Sequence, residues 1–513
     1  MRRFTIILIT GLLSAACTNL DEQVFSETLK SDFFTSEEML AIYSARAYTS
    51  LQAWGTEQSM LTLNMQLSNE VCAPVNSVGE WKNPRYAELQ THQIPSTNKL
   101  SMKGWDFCFD GIAACNDVLY EIGRFGGDFD GKNRIIAEIS VLRAFYYMMA
   151  LDGWGKVPFS LSPDETELPK EKSRAEVFKF VQDEVNKYLP DLADGGTVEY
   201  YGRVTKDMAH MLLAKLYINA KEWIGTEMWA EAEAEAHAVM TGGHFKLAPR
   251  YKDNFVVHNE GSTEAVFAIP YSTVYTESDH RSFVLFIMTL DGPLSKAFNI
   301  GDAGWDGFVG QPDFVASYDP ADTRRGDTWL VGQVYNTSGK KVTYQTSEDG
   351  PELDYIIDPD MDEAMYSNGR PMLKGARISK WEFQSDGRIK NDQTSMENDF
   401  ILFRYADAVL LYVEALVRQD RAAEAAAVPE FQEIRTRAGL APMSAADLTL
   451  DNLLLERQHE LACEGWSRQD LIRFGKYLDA WWAKPAGQDY MKLLPIPEDR
   501  RKANPNLGQN PGY

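Results

Sequence analysis

The sequence predicts a mainly α-helical fold in which tetratricopeptide-like helical hairpins carry long irregular loop insertions. Apolar residues recur three or four positions apart in most segments that show any period, which is typical of helices with one buried face. Two pairs of these segments form hairpins of roughly 34 residues, the length of a tetratricopeptide unit. The helical period fades between about residues 64–104 and 243–400, where Gly, Pro, Asn, Asp and aromatic residues become frequent. These two ranges are the predicted insertions.

A strong helical pattern lies in the segment RIIAEISVLRAFYYMMALDGWG. Its regularly spaced apolar residues predict a single apolar stripe along one helix. The stripe consists of Ile135, Ile139, Leu142, Tyr146 and Met149. Gly153 and Gly155 are predicted to end this helix. The same spacing predicts another helix from about residue 173 to 189.

Two helical hairpins follow along the chain. The first joins helices over about residues 205–222 and 227–240, and Gly242 and Gly243 close it. The second covers about residues 406–439, with AVLLYVEALV on one arm and AAEAAAVPEFQEIRTRAG on the other. Stacked helix pairs leave a continuous curved surface, so we expect these repeats to serve as a scaffold or as a docking face for a partner protein.

The two insertions are the predicted location of function. Loops longer than about 12 to 15 residues in compact proteins tend to be functional or disordered. The insertions of this chain are rich in Trp and Tyr, which argues against disorder. We therefore expect the ligand-binding residues to lie there.

The first residues have the order of a signal peptide. Arg2 and Arg3 precede an apolar stretch that ends in small residues directly before Cys17. The stretch is shorter than the roughly 20 residues that a membrane-spanning helix needs. Residues 14–17 resemble a lipobox, so we expect removal of residues 1–16, lipid attachment to Cys17 and a single mature domain over 17–513. Ser14 stands where the strict pattern has Leu, and the alternative is cleavage that leaves Cys17 unlipidated.

The composition excludes several classes of partner. The chain has 51 Lys and Arg against 75 Asp and Glu, a formal net charge of −24. Such a surface repels phosphate backbones and anionic lipids, so no nucleic acid is expected as a partner. A neutral ligand is easier to accommodate than a polyanion. The five cysteines are too sparse for a disulfide scaffold, and we expect Cys108 and Cys115 to be buried free thiols.

The sequence offers no motif for catalysis or for metal binding. Its seven histidines are scattered without an HExxH pair, and no G-x-S-x-G elbow is present. A charged set near the end of the chain has helical spacing, which favours structural ion pairs within helices over acid–base chemistry. The set consists of Arg457, Glu460, Glu464, Arg468, Asp470 and Arg473. We predict no catalytic residue, no metal and no cofactor, although a glycosidase needs no fixed spacing between its two carboxylates.

Several segments together resemble the SusD/RagB family of Bacteroidetes outer-membrane lipoproteins, in the family's order from Cys17 to Tyr513. They are CTNLDEQVFSE, AEISVLRAFYYMMALDGWGKVP, GRVTKDMAHMLLAKLYINA, DPADTRR, FILFRYADAVLLYVEAL, RTRAGL, ERQHELACEGWSRQDLIRFGK and LLPIPEDRRKANPNLGQNPGY. The resemblance implies a tetratricopeptide-like fold and a lipid anchor in the outer membrane, with the protein facing the cell exterior. It also implies partnership with a SusC-like TonB-dependent transporter, to which family members pass oligosaccharides or, in some cases, peptides.

The candidate binding residues are aromatic and amide side chains of the two insertions. Flat rings pack against the apolar face of a pyranose, and amide or carboxylate groups hydrogen-bond its hydroxyls. The first insertion offers Trp81, Asn83 and Tyr86, and the second offers Tyr271, Tyr275, Trp305 and Trp329. The resemblance supports Trp81, Asn83, Tyr275 and Trp305 by position. For each ring, burial in loop packing is the alternative.

These observations predict a surface lipoprotein that binds glycan and delivers it to a transporter, and that is not an enzyme. The ligand is expected to be an oligosaccharide or a polysaccharide. Two alternatives remain: a peptide-binding, RagB-like uptake protein, and a surface glycoside hydrolase. The aromatic content of the insertions favours sugar, although peptide grooves also use aromatic residues.

Overall fold

The structure is a computed structural model, and it describes residues 36–76, 79, 81–125, 128, 130–272, 283–300, 304–347, 349–384 and 396–513. The predicted signal peptide, Cys17 and Tyr275 lie outside the described residues. The division of the chain at residue 17 and the lipid attachment therefore stay predictions.

Helices dominate the described part of the chain, as the sequence predicts. They are α1 (Glu37–Thr49), α2 (Met60–Gln66), α3 (Pro84–Gln90), α4 (Lys99–Phe125), α5 (Lys132–Trp154), α6 (Arg174–Tyr188), α7 (Lys206–Ile218), α8 (Ala220–Ile224), α9 (Trp229–Thr241), α10 (Leu285–Thr289), α11 (Gly292–Ala297), α12 (Pro312–Ala316), α13 (Thr323–Thr328), α14 (Ala364–Asn368), α15 (Tyr405–Arg418), α16 (Ala422–Ala426), α17 (Pro429–Arg437), α18 (Leu450–Glu460), α19 (Ser467–Arg473) and α20 (Glu498–Ala503). Within the described ranges, no helix has the length and apolar character needed to span a bilayer.

The strands are short and form two-stranded antiparallel pairs. They are β1 (Val71–Cys72), β2 (Val157–Pro158), β3 (Glu171–Lys172), β4 (Ala265–Ile269), β5 (Val309–Gly310), β6 (Trp329–Leu330), β7 (Gly332–Gln333), β8 (Thr343–Tyr344), β9 (Leu353–Asp354), β10 (Ile356–Ile357), β11 (Arg377–Ile378) and β12 (Phe400–Arg404). The pairs are β1 with β5, β2 with β3, β4 with β12, β6 with β11, β7 with β10 and β8 with β9.

Helix α5 is buried on all sides, so the prediction of a single apolar stripe is wrong. Every residue from 137 to 154 is buried, because α1, α4 and α6 pack around the helix. Among its buried polar groups, Arg143 donates to Asn116 Oδ1 at 2.8 Å and to Glu184 Oε1 at 2.5 Å. Gly153 lies inside the helix, and Gly155, with φ of 76°, ends it.

Helix α6 confirms the prediction for about residues 173–189. Ser173 caps its N-terminus and accepts a hydrogen bond from the Glu176 amide, and the Glu176 carboxylate accepts one from the Ser173 amide at 2.8 Å. This reciprocal capping box satisfies amides that have no partner inside the helix. The start of α6 is therefore fixed by residues that the sequence shows directly.

Both predicted hairpins are present, and they pack on each other. Helix α9 packs against α7 within the first hairpin and against α15 of the second. The second arm of the second hairpin is broken into α16 and α17, with Pro429 in the first turn of α17. Proline lacks an amide hydrogen and clashes with the preceding turn, so it begins a helix and does not continue one. The prediction of one continuous arm is wrong at that point.

The second insertion begins and ends in one small sheet. Strand β4 pairs with β12, so that Ile269 lies opposite Phe400 and Ala265 lies opposite Arg404. Between these strands the chain forms short helices and short ladders. The insertion is thus a folded excursion whose two ends are tied together at its base.

A buried ion-pair network holds this base against helix α18 and the turn after it. Arg404 contacts Glu264 Oε2 at 2.9 Å, Glu460 Oε1 at 3.0 Å and Glu464 Oε1 at 2.8 Å, and all four side chains are buried. Burial alone would raise the pKa of Glu460, but Arg437, Arg404 and Arg324 together hold the pKa well below its ordinary value. Glu460 is therefore charged and serves as an anchor for the surrounding arginines.

The charged set at positions 457–473 is structural, but most of its pairs join separate elements. Arg457 contacts Asp407 of α15 at 3.1 Å and Asp470 of α19 at 2.9 Å. Arg468 contacts Asp152 of α5 at 3.0 Å. The pair of Arg473 with Asp470 is of the predicted kind, three residues apart on one helix. The set spans α18, the turn after it and α19, and neighbouring elements supply most of the partners.

The cysteines confirm the prediction of free thiols. Cys108 and Cys115 are buried and unbonded, and so are Cys72 and Cys463. Burial raises the pKa of the Cys108 thiol well above its ordinary value, with nearby aspartates adding to the effect. These thiols are neutral and contribute to packing as small apolar groups.

We expect Arg404→Met to lower the free energy of unfolding by about 3 to 5 kcal/mol, because it leaves buried carboxylates with one cation fewer. Urea unfolding followed by circular dichroism measures this loss. The matched control is Arg421→Met, whose side chain is 35% exposed in a pair with Glu233 and which is expected to change stability little. Equal effects of the two substitutions would show that the buried network does not hold the fold.

Candidate functional site

The two insertions are joined by a short antiparallel ladder. Strand β1 of the first insertion pairs with β5 of the second, with Val71 opposite Gly310. Next to this ladder, the Gln311 side-chain amide donates to the carbonyls of Ser68 and Val71, each at 3.0 Å. Residues far apart in sequence are thereby fixed beside one another, and the loops that follow meet.

A cleft of about 580 Å³ opens where these loops meet. Its lining combines two tryptophan rings, a methionine and a proline with three carboxylates and one amide. The lining residues are Glu57, Asn76, Trp81, Asp291, Gly292, Pro293, Gly304, Trp305, Asp306 and Met372. Flat apolar surfaces beside hydrogen-bond acceptors are the chemistry that a sugar ring requires.

The Trp81 ring is half-buried and held by specific contacts. Its Nε1 donates to the Trp305 carbonyl at 2.8 Å. Its ring centroid lies 5.0 Å from that of Tyr86 and 5.5 Å from that of Phe308. The Trp81 backbone has φ of 61°, a left-handed conformation that costs a tryptophan free energy. The surrounding contacts stabilise this strained position, so the ring is presented in one orientation.

The Trp305 turn is fixed by backbone hydrogen bonds. The Trp305 amide donates to Ile287 O at 2.7 Å, and the Asp306 amide donates to Leu290 O at 2.8 Å. A Cβ atom at Gly304 would lie 1.9 Å from Leu290 O, so only glycine fits this approach. A Cβ at Gly307 would lie 2.2 Å from the Trp81 ring. The two glycines let the turn and the ring pack closely.

Arg370 binds both walls of the cleft. Its amide donates to the carbonyl of Val75 at 2.7 Å, just before the Trp81 loop. Its guanidinium donates to Asp306 O at 2.9 Å and to Asp306 Oδ1 at 2.5 Å. The side chain is fully buried, and burial lowers the pKa of Arg370, with the nearby Arg377 acting in the same direction. Arg370 therefore positions the two tryptophan loops relative to each other.

The carboxylates of the cleft are engaged by neighbouring groups. Glu57 Oε1 accepts hydrogen bonds from Arg85 at 2.8 Å and from the Tyr86 hydroxyl at 2.9 Å, and the Glu57 side chain is 29% exposed. Asp291 caps α11 by accepting from the Leu294 amide at 3.0 Å, and it also accepts from the Tyr355 hydroxyl. Burial raises the pKa of Asp291.

The structure brings Trp81 and Trp305 together in the lining of the cleft and places Asn83, Tyr86, Tyr271 and Trp329 outside that lining. Asn83 is exposed beside the cleft, where its side chain caps α3 by accepting from the Arg85 amide at 3.1 Å. Tyr86 is 1% exposed and supports the Trp81 ring from behind, so it presents no surface to a ligand in this structure. Tyr271 and Trp329 lie in the core, which is the alternative stated for them.

No sequence pattern predicts the polar part of the lining. Asp291 stands directly before Gly292 and Pro293, a pattern that predicts a helix cap but no contact with ligand. Glu57, Asp306 and Arg370 carry no local pattern that distinguishes them from other charged residues. Their role follows from contacts between distant segments. Among the described residues, no group of three His, Cys, Asp or Glu side chains is arranged to hold a metal ion.

Comparison with known proteins relates this chain to proteins that bind glycans. The sequence model of the SusD family matches residues 241–513. The chain is 28% identical over 409 residues to the starch-binding protein SusD of Bacteroides thetaiotaomicron, which covers 74% of this chain and 72% of that protein. It is 24% identical over 497 residues to a SusD-like protein of Bacteroides ovatus, covering 93% of this chain and 83% of the relative.

Solved structures share the fold. Surface glycan-binding protein A from Bacteroides thetaiotaomicron, in complex with laminarihexaose, superposes with a TM-score of 0.75 at 20% identity, covering 93% of this chain and 99% of that chain. A laminarin-binding SusD-like protein gives a TM-score of 0.75 at 18% identity, covering 94% and 100%. These likenesses confirm the mainly α-helical architecture.

We expect Gly307→Ala to displace the Trp81 ring, because the added methyl group would overlap it. The free energy of unfolding should fall by about 1 to 3 kcal/mol. A double-mutant cycle, measured by urea unfolding, tests whether this loss comes from the contact with Trp81. In a Trp81→Ala background, the loss in free energy of unfolding caused by Gly307→Ala should largely vanish. Gly326→Ala is the control, since nothing lies within 4 Å of a Cβ there. Additive effects in the cycle would contradict the contact.

Proposed function

The chain belongs to the SusD family, and we propose that it captures glycan chains at the cell surface and delivers them to a SusC-like TonB-dependent transporter. One observation carries the binding proposal: Trp81 and Trp305, from two separate insertions, line one cleft of about 580 Å³. Two relatives whose names specify a ligand bind starch and laminarin, which are polysaccharides.

The cleft suits sugar through two complementary surfaces. The tryptophan rings offer flat apolar area that packs against the C–H face of a pyranose, and their fixed orientation reduces the entropy lost on binding. Carboxylate oxygens of the lining accept hydrogen bonds from sugar hydroxyls, and hydrogen bonds to a charged acceptor are stronger than neutral ones. The cleft is open to solvent, which allows a long chain to enter and leave.

The charge of the site favours a neutral glycan. Glu57, Asp291 and Asp306 line the cleft, and the whole chain carries a formal net charge of −24. Arginines neutralise part of this charge, but Arg370 is buried behind the lining and directs its guanidinium at Asp306 and nearby carbonyls. The anionic groups of sulfated or uronic-acid chains would therefore meet carboxylates, which are hydrogen-bond acceptors, where they need hydrogen-bond donors.

The contacts of the acidic residues favour binding over hydrolysis. A glycosidase needs one carboxyl group that donates a proton and a second that attacks or activates water. Asp306 is held by Arg370 and Arg377, and Asp291 is held by a helix N-terminus and Tyr355. We expect no new reducing ends when purified protein is incubated with starch or laminarin, and their appearance would establish an enzyme.

The peptide-binding alternative is tested by comparing which ligands the protein retains. A glycan array and a pool of peptides are each applied to the purified protein. Retention of glycans but not peptides supports the proposal, whereas retention of peptides alone would indicate a RagB-like peptide-binding protein.

We expect Trp81→Ala to weaken binding of the recognised glycan roughly tenfold, the loss of one stacked ring. Trp305→Ala should act similarly. Isothermal titration with laminarin and soluble starch measures the dissociation constants. Tyr335→Ala is the control, because Tyr335 is 51% exposed outside the cleft. Wild-type affinity in both tryptophan variants would reject this cleft as the site.

The proposed location is the outer membrane, with lipid on Cys17 and the protein facing the exterior. We expect cells that express the wild-type chain to incorporate an alkyne-labelled fatty acid into it, and Cys17→Ala to abolish the label. Ser14→Leu, which restores the strict lipobox, is the control that should keep it. Labelling of Cys17→Ala would place the lipid elsewhere.

A further inference from the structure

A second aromatic cleft, of about 510 Å³, lies at Trp481 near the end of the chain. Its lining consists of Glu363, Tyr366, Ser367, Ala480, Trp481, Ala483, Lys484 and Pro485. Trp481 also lines a smaller hollow of about 100 Å³ together with Leu455 and Gln458. The half-buried Trp481 side chain therefore contributes to two depressions in the surface.

The Trp481 ring is held in place before any ligand binds. Lys484 Nζ lies 3.8 Å from the ring centroid, and Nζ itself donates to Asp479 O at 2.7 Å. The backbones of Trp481 and Lys484 exchange two hydrogen bonds, of 3.1 Å and 2.9 Å. Within this turn Ala483 adopts φ of 53°, a conformation that alanine rarely takes. The turn thus fixes an aromatic surface at some cost in backbone strain.

This cleft lies beside the Trp81–Trp305 cleft. A Cβ at Gly369 would lie 3.8 Å from the carbonyl of Asn76, which lines the first cleft. Ser367, which lines the second cleft, is two residues from Gly369, a distance of at most about 7 Å. The amide of Val75 also donates to Tyr366 O at 3.0 Å. Helix α14 and the residues after it therefore form a narrow divide between the two sites.

We propose that the Trp481 cleft is a second glycan-contact site, which takes the part of a polysaccharide chain that extends beyond the Trp81–Trp305 cleft. This inference rests on the proposed function. The chemistry of the lining is that of a sugar site: a fixed indole ring for apolar contact, with the Glu363 carboxylate and the Ser367 hydroxyl on the exposed rim. The Lys484 ammonium is occupied by carbonyls and the ring, so an anionic ligand finds little attraction there.

Two adjacent weak sites on one chain favour polymers over short fragments. When one part of a polysaccharide is bound in the first cleft, the next part reaches the second at a high effective concentration. A fragment that fills only the first cleft gains nothing from the second. The dependence of affinity on glycan length is therefore the property that distinguishes this proposal.

The test compares laminarin with laminarihexaose, and soluble starch with maltohexaose, by isothermal titration against the full chain. We expect Trp481→Ala to weaken binding of the recognised polymer about two- to tenfold, the contribution of one ring, and to leave hexasaccharide binding within twofold of wild type. Trp481→Phe should restore most of the polymer affinity. Thermal unfolding of each variant checks that the fold is kept, and Tyr335→Ala again serves as the exposed-aromatic control.

The outcomes separate the two proposals. Equal polymer affinity in wild type and Trp481→Ala, with Trp81→Ala still weakened, would overturn the second site and leave the first intact. An equal loss for polymer and hexasaccharide would also overturn it, because it would place Trp481 within the first site or in the fold. If wild type binds no polymer and no array glycan, the proposed function fails, and the second site fails with it.

Discussion

The buried ion pairs of Arg404 are the constraint on which the binding region depends. They tie the first and last strands of the second insertion to Glu460 and Glu464 near the C-terminal helices. Charges buried at this depth are stable only when every partner is in place, so the network admits one arrangement of these segments. The position of this base therefore determines where the rest of the insertion lies, including strand β5 and the Trp305 turn.

Both insertions contribute to the Trp81–Trp305 cleft, and neither forms it alone. The β1–β5 ladder, the Trp81–Trp305 hydrogen bond and the contacts of Arg370 connect the two walls at three places. Trp81 and Asp306 adopt left-handed backbone conformations, which are locally unfavourable. The contacts between the two walls stabilise these conformations. A rigid pair of rings loses little entropy when it meets a ligand, and an open cleft lets the ligand leave, as the proposed carrier function requires.

The acidic residues of the chain have different roles in the interior and around the cleft. Inside, arginines neutralise buried carboxylates in networks that join helices α15, α18 and α19. Around the cleft, carboxylates are held by arginines and hydroxyls and offer only part of their hydrogen-bonding capacity outward. This arrangement fits the proposed binding of hydroxyl-rich neutral chains, and the second proposed site, at Trp481, lies across α14 from it.

The sequence by itself determined the mainly helical class and several of the helices, because these depend on the spacing of residues close together in the chain. It predicted the helix that begins near residue 173, both hairpins and the two tryptophans that share the cleft. The tertiary structure decided the burial of α5 on all sides, the partners of the charges at 457–473, the support role of Tyr86 and the lining by Glu57 and Asp291. Most of those features arise from contacts between separate segments of the chain, and no local pattern encodes which other segment a side chain meets.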